Sequence, residues 1–415
     1  MISLDRALKA VLARARRGRL ATERVTLLES EGRVLAERVT SDVDLPPFHR
    51  VAMDGFAVRS RDVVEAPVLL TVVGTVLAGQ VGSRRLLPGE AIRIMTGAPL
   101  PAGADAVVMV ERTEETDGGK RVLVRESVTR FGNVARKGED LRKGRTVLRP
   151  GRCLGAVEAG MLATVGRERA LVSRRPEVTL LVTGDELVEP RRRPGPGKIR
   201  NSNAYSVGAL VQGVGGRLRF SGIVKDHPPD LRREIKRGLR SDVLLLTGGV
   251  SMGQADFVPG LLREKGVCAH FHRVALKPGK PLFFGSTPGC LVFGLPGNPV
   301  SSLVDFLLFV RPALLALQGT KARPPWTGQA RLAGDAGGSS RLTVLVPVEI
   351  GIEEGGLVAR PVPYHGSGDF TALLRADGFA LLAPGEECSS GAQVKVMPLP
   401  GRAPHVFGQV ARDTR

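Results

Sequence analysis

Between Glu177 and Gln318 the sequence alternates short apolar runs with segments of helical pattern. The apolar runs include "VTLLVTG", "DVLLLTGG" and "CLVFGLPG", and amphipathic stretches such as "PDLRREIKRGL" separate them. Apolar strands separated by helical crossovers are typical of a parallel sheet that is covered on both faces. This alternation therefore predicts a central parallel-sheet α/β domain, and it constrains the fold more than any other feature.

The flanking segments predict a multidomain chain. Short strands joined by Gly and Pro turns dominate one region, and Ser3 can cap a helix that opens the chain. A proline-bearing linker precedes a last set of strands, which predicts a small β-barrel-like domain. The expected boundaries are a helical and linking region at 1–50 and 138–175, a β-rich module at 51–137, the α/β domain at 176–320, an all-β domain at 321–398 and a flexible tail at 399–415.

Composition argues against several classes of function. The net charge of +19 would suit a polyanionic ligand, but the aromatic residues that stack nucleic-acid bases make up only 4% of the chain. The longest apolar stretch, 302–317, is interrupted by Asp305 and Arg311, which argues against a membrane span. No secretory pattern or C-x-x-C pair is present. We therefore expect a cytoplasmic protein that binds neither nucleic acid nor membranes.

Three strands of the expected sheet end in glycine loops, "VTGDEL", "LTGGVSMGQAD" and "FGLPGNPVSS". In an open α/β sheet, ligands bind outside the carboxyl ends of the strands, where glycine loops let backbone N–H groups approach an anion. Walker and dinucleotide-binding spacings are missing, which disfavours P-loop ATP hydrolysis and NAD binding. The residues expected to bind phosphate are Thr183, Gly184, Gly248, Gly249, Ser251, Gly253, Pro296, Gly297 and Asn298.

Acidic and basic side chains lie beside these loops in the sequence. The acidic ones are Asp185, Glu186, Asp226 and Asp256. Taken singly, such carboxylates could stabilise helix N-termini; together at one sheet edge they favour a hard cation such as Mg²⁺ between carboxylates and phosphate oxygens. Lys277 and Lys280 flank a Pro-Gly turn, and two neighbouring ammonium groups favour an anion between them. The pattern predicts a metal–phosphate site.

Two other patterns have simpler explanations. "CAHFH" places Cys268, His270 and His272 on one face of a strand, as a transition-metal triad would require, but no fourth ligand is evident and packing is favoured. The basic loop "RRRPGPGKIR" at 191–200 is expected to face solvent.

Several strings together resemble one enzyme family in its own order. They include "VAMDGFAV", "IRIMTGAPLPAGADAVVMVE", "NVARKGED", "TGDEL", "LLLTGGVSMGQADF", "RVALKPGKPLFFG" and "FGLPGNPVSSLVDFLLFVRPAL". Over about residues 1–398 the chain resembles the molybdopterin molybdenumtransferases, including the E domain of gephyrin. The resemblance implies a homodimeric enzyme. With Mg²⁺, it would convert adenylylated molybdopterin and molybdate to molybdenum cofactor and AMP.

The resemblance also implies roles for individual residues. Glu186, Asp226 and Asp256 would hold Mg²⁺, and Lys277 with Lys280 would hold anionic oxygens of phosphate or molybdate. Asp54, Thr96 and Asp140 would face the site from the β-rich module of the partner subunit. Three positions depart from the usual family pattern: Ala135, Gln254 and Arg200.

Two alternative functions remain open at this stage. Molybdopterin adenylylation from ATP would use a similar central domain, although the additional modules and the "MDGFA" string favour insertion. A dimeric binding scaffold would have lost the lysine and carboxylate set, which this sequence retains. Expected partners are a molybdopterin-adenylating enzyme and recipient molybdoenzymes.

Overall fold

The computed structural model describes residues 1–249, 258–321, 326, 328–353, 355–386, 388–402 and 405–406. The chain divides into two compact units. The first, called the central unit, comprises Met1–Ala36, Pro150–Gly155 and Ala170–Arg415. The second, called the β-rich unit, comprises Glu37–Arg149 and Ala156–Arg169.

A six-stranded sheet forms the middle of the central unit. Four neighbouring strands run parallel, and the last two are antiparallel to their neighbours. The expectation of a parallel sheet is thus confirmed for these four strands. The hairpin adds two antiparallel strands, because 287–290 is too short for a helical crossover. In sheet order the strands are Arg217–Val224, Glu177–Thr183, Val243–Thr247, Leu291–Leu295, Phe283–Ser286 and Cys268–Phe271.

Helices cover both faces of this sheet. In the fully buried strand Val243–Thr247, Leu245 packs into one hydrophobic cluster, whereas its neighbours pack into another on the opposite face. Such alternation follows from the two-residue period of a strand. Asn203–Gly213 packs on the Leu245 face, and Pro228–Gly238 and Val258–Glu264 pack on the other. The predicted α/β arrangement is confirmed.

A long apolar helix, Pro299–Leu317, crosses the larger cluster. It is α-helical at Pro299–Asp305 and Arg311–Leu317, with a π-helical segment between them. It is the one helix among the described residues that is long and apolar enough to span a membrane, but 89% of its most apolar window is buried within the protein. The N-terminal helix Leu4–Ala15 packs against it, and the Ser3 hydroxyl caps that helix by accepting a hydrogen bond from Arg6 N–H at 3.4 Å.

The C-terminal part of the central unit is a closed β-barrel. Its longest strand, Thr343–Glu353, pairs with two barrel strands, and the remaining pairings complete the ring. The other strands are Gly328–Leu332, Gly356–Pro361, Gly378–Leu382 and Gln393–Pro398, and a short helix spans Ala372–Arg375. The short strand Leu276–Lys277 from the α/β domain pairs in parallel with Thr343 and Val344. The predicted barrel-like domain is confirmed.

The β-rich unit contains a second six-stranded sheet. Its two faces carry separate clusters, with Ala57 in one and Phe56 in the other. In sheet order the strands are Ala106–Met109, Gly55–Val58, Glu90–Ile94, Val68–Val76, Arg121–Val124 and Thr113–Thr116, and the unit also contains the helix Ala156–Thr164. Shorter strands elsewhere in the chain are Thr22–Thr26, Val39–Thr40, Arg50–Val51, Val134–Ala135, Thr146–Leu148, Arg169–Ser173, Leu187–Val188, Ile199–Arg200 and His405–Val406. Short 3₁₀ helices span Leu28–Ser30, Ser60–Val63, Val110–Arg112 and Asp117–Gly119.

Phe293 tests the importance of the central core. Its ring is fully buried, with its centroid 4.9 Å from that of Phe284. Because a large buried cavity would remain, Phe293→Ala should lower the free energy of unfolding by about 3–5 kcal/mol, measured by urea denaturation. Phe220→Ala is the matched control, since Phe220 lies on the edge strand of the same sheet and is 41% exposed. Equal losses in both variants would contradict the assigned core.

Candidate active site

The three glycine loops lie side by side at the carboxyl edge of the central sheet. Gly248 has φ +84°, and a Cβ atom placed there would lie 2.1 Å from the carbonyl oxygen of Thr183. A Cβ at Gly249 would lie 2.8 Å from Thr183 Oγ1, and one at Gly297 would lie 3.9 Å from Gly248 Cα. Glycine is required at Gly248 and Gly249 both by the backbone conformation and by the lack of space. The result is a surface of closely spaced backbone.

The structure brings the described part of the predicted phosphate site together at this edge. Thr183, Gly184 and Pro296 are buried, whereas Gly297 and Asn298 are exposed. The remaining predicted members Ser251 and Gly253, the predicted metal ligand Asp256 and the atypical Gln254 lie outside the described residues.

Two residues that the sequence analysis did not single out hold the third loop. The side-chain amide of Asn203 donates a hydrogen bond to the Gly297 carbonyl at 2.8 Å. The Asn298 amide donates to the Ser367 hydroxyl at 2.7 Å, and Val300 N–H donates to the Ser367 carbonyl. Ser367 belongs to the C-terminal part of the chain, so no local pattern around the glycine loop could have indicated it.

The acidic side chains beside the loops are close enough to influence one another. Burial raises the pKa of Asp226, and the negative charges of Asp185 and Glu186 raise it further. Thr183 Oγ1 partly offsets this rise, although it makes no hydrogen bond of standard geometry among the described residues. Asp226 N–H also points to Asp185 Oδ1 at 3.5 Å. The site therefore concentrates oxygen ligands of like charge.

Within the described ranges, no three acidic, His or Cys side chains are arranged as a metal site. Of the three predicted metal ligands, the structure describes Glu186 and Asp226, whereas Asp256 lies outside the described residues. Oxygen ligands of this kind suit a hard cation. The pKa of Asp226 is raised first by burial and then by the negative charges of Asp185 and Glu186, and such a cation would offset the second effect.

Lys277 and Lys280 present two positive charges on a tight loop. Both side chains are exposed, and neither forms an ion pair with any described residue. The Lys280 carbonyl accepts a hydrogen bond from Val274 N–H at 3.1 Å, while Lys277 lies in the short strand that pairs with the barrel. The backbone of the loop is fixed at both lysines, and their ammonium groups are left available for an anion.

A buried acid lies directly beneath this loop. Asp305 has no exposed surface, and neither of its carboxyl oxygens has a hydrogen-bond partner among the described residues. A Cβ atom at Gly279, whose φ is +108°, would lie 2.3 Å from Asp305 Oδ1. Burial raises the pKa of Asp305 well above its usual range, so the neutral acid is favoured. A neutral Asp305 leaves the charges of Lys277 and Lys280 uncompensated.

In the β-rich unit, Asp54 and Thr96 form a close pair. Asp54 Oδ1 accepts hydrogen bonds from Thr96 N–H and from the Thr96 hydroxyl, each at 2.7 Å. The backbone hydrogen bond, followed by that of the hydroxyl, lowers the pKa of Asp54. Both side chains are exposed. Their pairing supports the expectation that they act together, and it holds Asp54 as an exposed carboxylate.

Asp140 lies elsewhere in the same unit, on the wall of a cavity of about 540 Å³. Arg142 and Arg145 also line this cavity. Asp140 N–H donates a hydrogen bond to the Leu45 carbonyl at 3.0 Å, which fixes its backbone but leaves its carboxylate exposed.

The simpler explanations hold for the two rival patterns. His270 Nε2 lies 2.8 Å from the Ser286 hydroxyl, so this histidine has a cross-strand partner, and Cys268 pairs with Ser286 in the strand register. In the basic loop the side chains of Arg191, Arg192 and Arg193 are exposed, as expected.

Comparison with known proteins identifies the class of this chain. Residues 179–316 match a family described as "Probable molybdopterin binding domain", residues 2–166 match the MoeA N-terminal region (domains I and II), and residues 329–399 match the MoeA C-terminal region (domain IV). The class is therefore that of multidomain molybdopterin-related biosynthetic proteins.

Similar full-length proteins narrow this class to one family. The molybdopterin molybdenumtransferase of Bacillus subtilis is 35% identical over 404 residues, which cover 95% of this chain and 94% of that protein. That of Synechococcus elongatus is 39% identical over 339 residues, covering 79% and 83%. A molybdopterin biosynthesis MoeA protein of Pyrococcus horikoshii OT3 has a similar structure, with a TM-score of 0.81, 30% identity and coverage of 96% and 100%. The chain belongs to the molybdopterin molybdenumtransferase family, and it is a transferase of molybdenum cofactor biosynthesis.

Asp305 allows a test by pH. Because the pKa of Asp305 is raised in the folded state, folded Asp305 keeps a proton that the unfolded chain releases near pH 3.9. The free energy of unfolding therefore falls as the pH rises from that value through the folded pKa. Asp305→Asn, which remains neutral, should show a smaller loss of unfolding free energy between about pH 5 and pH 8. Urea denaturation across this range measures the difference. Asp5→Asn, at an exposed position, is the control, and identical pH slopes in wild type and Asp305→Asn would contradict a neutral buried acid.

Proposed function

We propose that the protein inserts molybdate into adenylylated molybdopterin in a Mg²⁺-dependent reaction that releases AMP. The convergence of three glycine loops at one sheet edge is the observation that carries this proposal. A diphosphate link needs many N–H donors and positive charge; the surface of glycine backbone provides the donors, and Lys277 and Lys280, which have no described ion-pair partner, would provide the charge. The name shared by its relatives, molybdopterin molybdenumtransferase, supports the same substrate class.

The residues of the glycine loops would bind and orient the diphosphate. Backbone N–H groups near Gly248 and Gly249 are close to the surface because neither residue carries a side chain. Asn203 and Ser367 would keep the third loop in position through their hydrogen bonds to Gly297 and Asn298. Such preorganised donors stabilise charge that develops on phosphate oxygens in the transition state.

The lysines would bind the anionic substrates, and the carboxylates would bind the metal ion. Lys277 and Lys280 would hold anionic oxygens of phosphate or molybdate, because no described carboxylate neutralises them. Glu186 and Asp226, together with Asp256, would hold Mg²⁺, which when bound supplies positive charge to the phosphate oxygens. The raised pKa of Asp226 supports this assignment. The two dithiolene sulfurs would replace one molybdate oxygen, which leaves with the two thiol protons as water, and attack of one water on the phosphoanhydride would release AMP.

The proposed oligomer is a homodimer in which Asp54, Thr96 and Asp140 complete the site of a second copy. The Asp54–Thr96 pair supports a functional role, because it fixes an exposed carboxylate that has a lowered pKa and forms no ion pair with a described residue.

AMP release tests the reaction itself. With adenylylated molybdopterin, Mg²⁺ and molybdate, the wild-type protein should release AMP, and Lys277→Gln/Lys280→Gln should release it about 10²–10³-fold more slowly, because charge-stabilising donors are lost. Asp256→Ala should also reduce turnover without unfolding the protein. Lys236→Gln, an exposed lysine on the helix Pro228–Gly238, is the matched control and should retain full rate.

Two other results would point to a different function. Consumption of ATP with molybdopterin that is not adenylylated would show an adenylyltransferase. Calorimetric titration with molybdopterin that shows no binding, combined with no AMP release, would leave a scaffold as the function.

Mixing inactive variants tests the shared site. Asp54→Asn and Lys277→Gln/Lys280→Gln should each be nearly inactive alone, but after subunit exchange the mixed dimers should contain one intact site. Random exchange of equal amounts predicts recovery of about a quarter of the wild-type sites, since half of the dimers are mixed. AMP release before and after exchange measures the recovery. Differential tags verify that mixed dimers have formed. If these dimers remain inactive, both sets of residues belong to the site of a single chain, and the shared site is contradicted.

A further inference from the structure

A second concave site lies at the amino-terminal edge of the central sheet. It has a volume of about 380 Å³ and is lined by the end of the N-terminal helix, by Asp242 and by the turn at 287–290. Asp242 directly precedes the strand Val243–Thr247, and the turn directly precedes Leu291–Leu295. The glycine loops follow the carboxyl ends of these same strands. This arginine pocket, as we call it, is therefore on the edge opposite the candidate active site.

The lining of the arginine pocket is strongly positive. Its charged residues are four arginines and one aspartate: Arg14, Arg17, Arg19, Arg174 and Asp242. The two terminal nitrogens of Arg174 donate to the two oxygens of Asp242, each at 2.7 Å. Asp242 also accepts a hydrogen bond from the backbone of Glu177 at 2.7 Å. Asp242 is thus occupied by Arg174 and by the Glu177 backbone, and it forms no ion pair with Arg14, Arg17 or Arg19.

Arg14, Arg17 and Arg19 have no ion-pair partner in the described part of the chain. The charge of Arg14 also reaches a neighbouring group: burial lowers the pKa of His270, and the positive charge of Arg14 lowers it further. The pocket therefore contains positive charge that no described side chain compensates.

Stabilisation of a helix end explains only part of this arrangement. Arg14 lies in the last turn of the helix Leu4–Ala15, where a cation is favoured by the helix dipole. Arg17 and Arg19 lie beyond that turn, yet both line the pocket. Arg16, which directly follows the helix, is exposed and does not line the pocket. The positive charge is directed into a concavity whose volume falls within the range of small-ligand sites.

We propose that the arginine pocket binds a small oligophosphate. The planar guanidinium group matches the geometry of phosphate oxygens and can donate two hydrogen bonds at once. The lining contains no aromatic side chain on which a nucleic-acid base could stack, which favours a small phosphate compound over a polynucleotide. In this assignment Arg14, Arg17 and Arg19 contact the ligand, and the Arg174–Asp242 pair forms a rigid wall. The proposal is independent of the function proposed for the glycine loops.

Calorimetric titration with inorganic pyrophosphate tests the proposal on the full chain. The buffer contains EDTA and little salt, so that neither bound metal nor screening obscures binding to the arginines. The Lys277→Gln/Lys280→Gln protein should retain one pyrophosphate site, because the arginine pocket does not involve those lysines. Adding Arg17→Gln should weaken this site about tenfold, the loss expected for one charged contact, whereas adding Arg16→Gln should change it less than about twofold.

Arg16 and Arg17 are adjacent and exposed, so the two variants remove the same charge from nearly the same place. Equal weakening by both would show diffuse attraction and overturn the proposal. Loss of all pyrophosphate binding in the Lys277→Gln/Lys280→Gln protein would show that the glycine-loop edge is the only anion site. If a single-stranded oligothymidylate binds more tightly than pyrophosphate and pyrophosphate displaces it, the ligand of the pocket is nucleic acid and the proposal of a small oligophosphate is wrong. Thermal unfolding of each variant verifies that the fold is retained.

Discussion

The contact between the Gly248 backbone and the carbonyl of Thr183 governs the candidate active site. A side chain on Gly248 would overlap that carbonyl, so two neighbouring strands can end this close together only if one continues as glycine. The third loop, at Gly297, adds to the same surface. This contact lets peptide groups of three strands serve as one binding surface. Asp226 lies beside Thr183, and Ser367 holds the third loop through Asn298.

The described acidic and basic groups of the predicted site are not paired with one another. Burial raises the pKa of Asp226, and the charges of Asp185 and Glu186 raise it further, whereas Lys277 and Lys280 have no described ion-pair partner. Asp305, which lies against Gly279 in the lysine loop, is buried, and burial favours its neutral form, so it supports the loop by packing and adds little negative charge. This separation leaves the acidic groups and the lysines each available to a ligand of opposite charge.

Sequence patterns predicted the features that depend on local periodicity. Fully buried runs such as Val243–Thr247 predicted the α/β domain, and Gly-rich strand ends predicted the anion surface. Periodicity did not encode strand direction, so the antiparallel hairpin at Phe283–Ser286 was not predicted. Ser367 could not be assigned because its partner Asn298 is remote in sequence, nor could Asp305, because the loop at Gly279 that lies against it is also remote. The Asp54–Thr96 pair came only from family resemblance, since such residues are common in turns.

The pairing of Leu276–Lys277 with the first residues of the barrel strand Thr343–Glu353 has a consequence for biogenesis. A growing chain emerges from its N-terminus, so the α/β domain is synthesised before the barrel that supplies this neighbouring strand. Until that strand is in place, the backbone at Lys277 lacks its partner, and the lysine loop is incomplete. The lysine loop therefore reaches its described backbone pairing only after Thr343 and Val344 have been synthesised, later than the rest of the α/β domain.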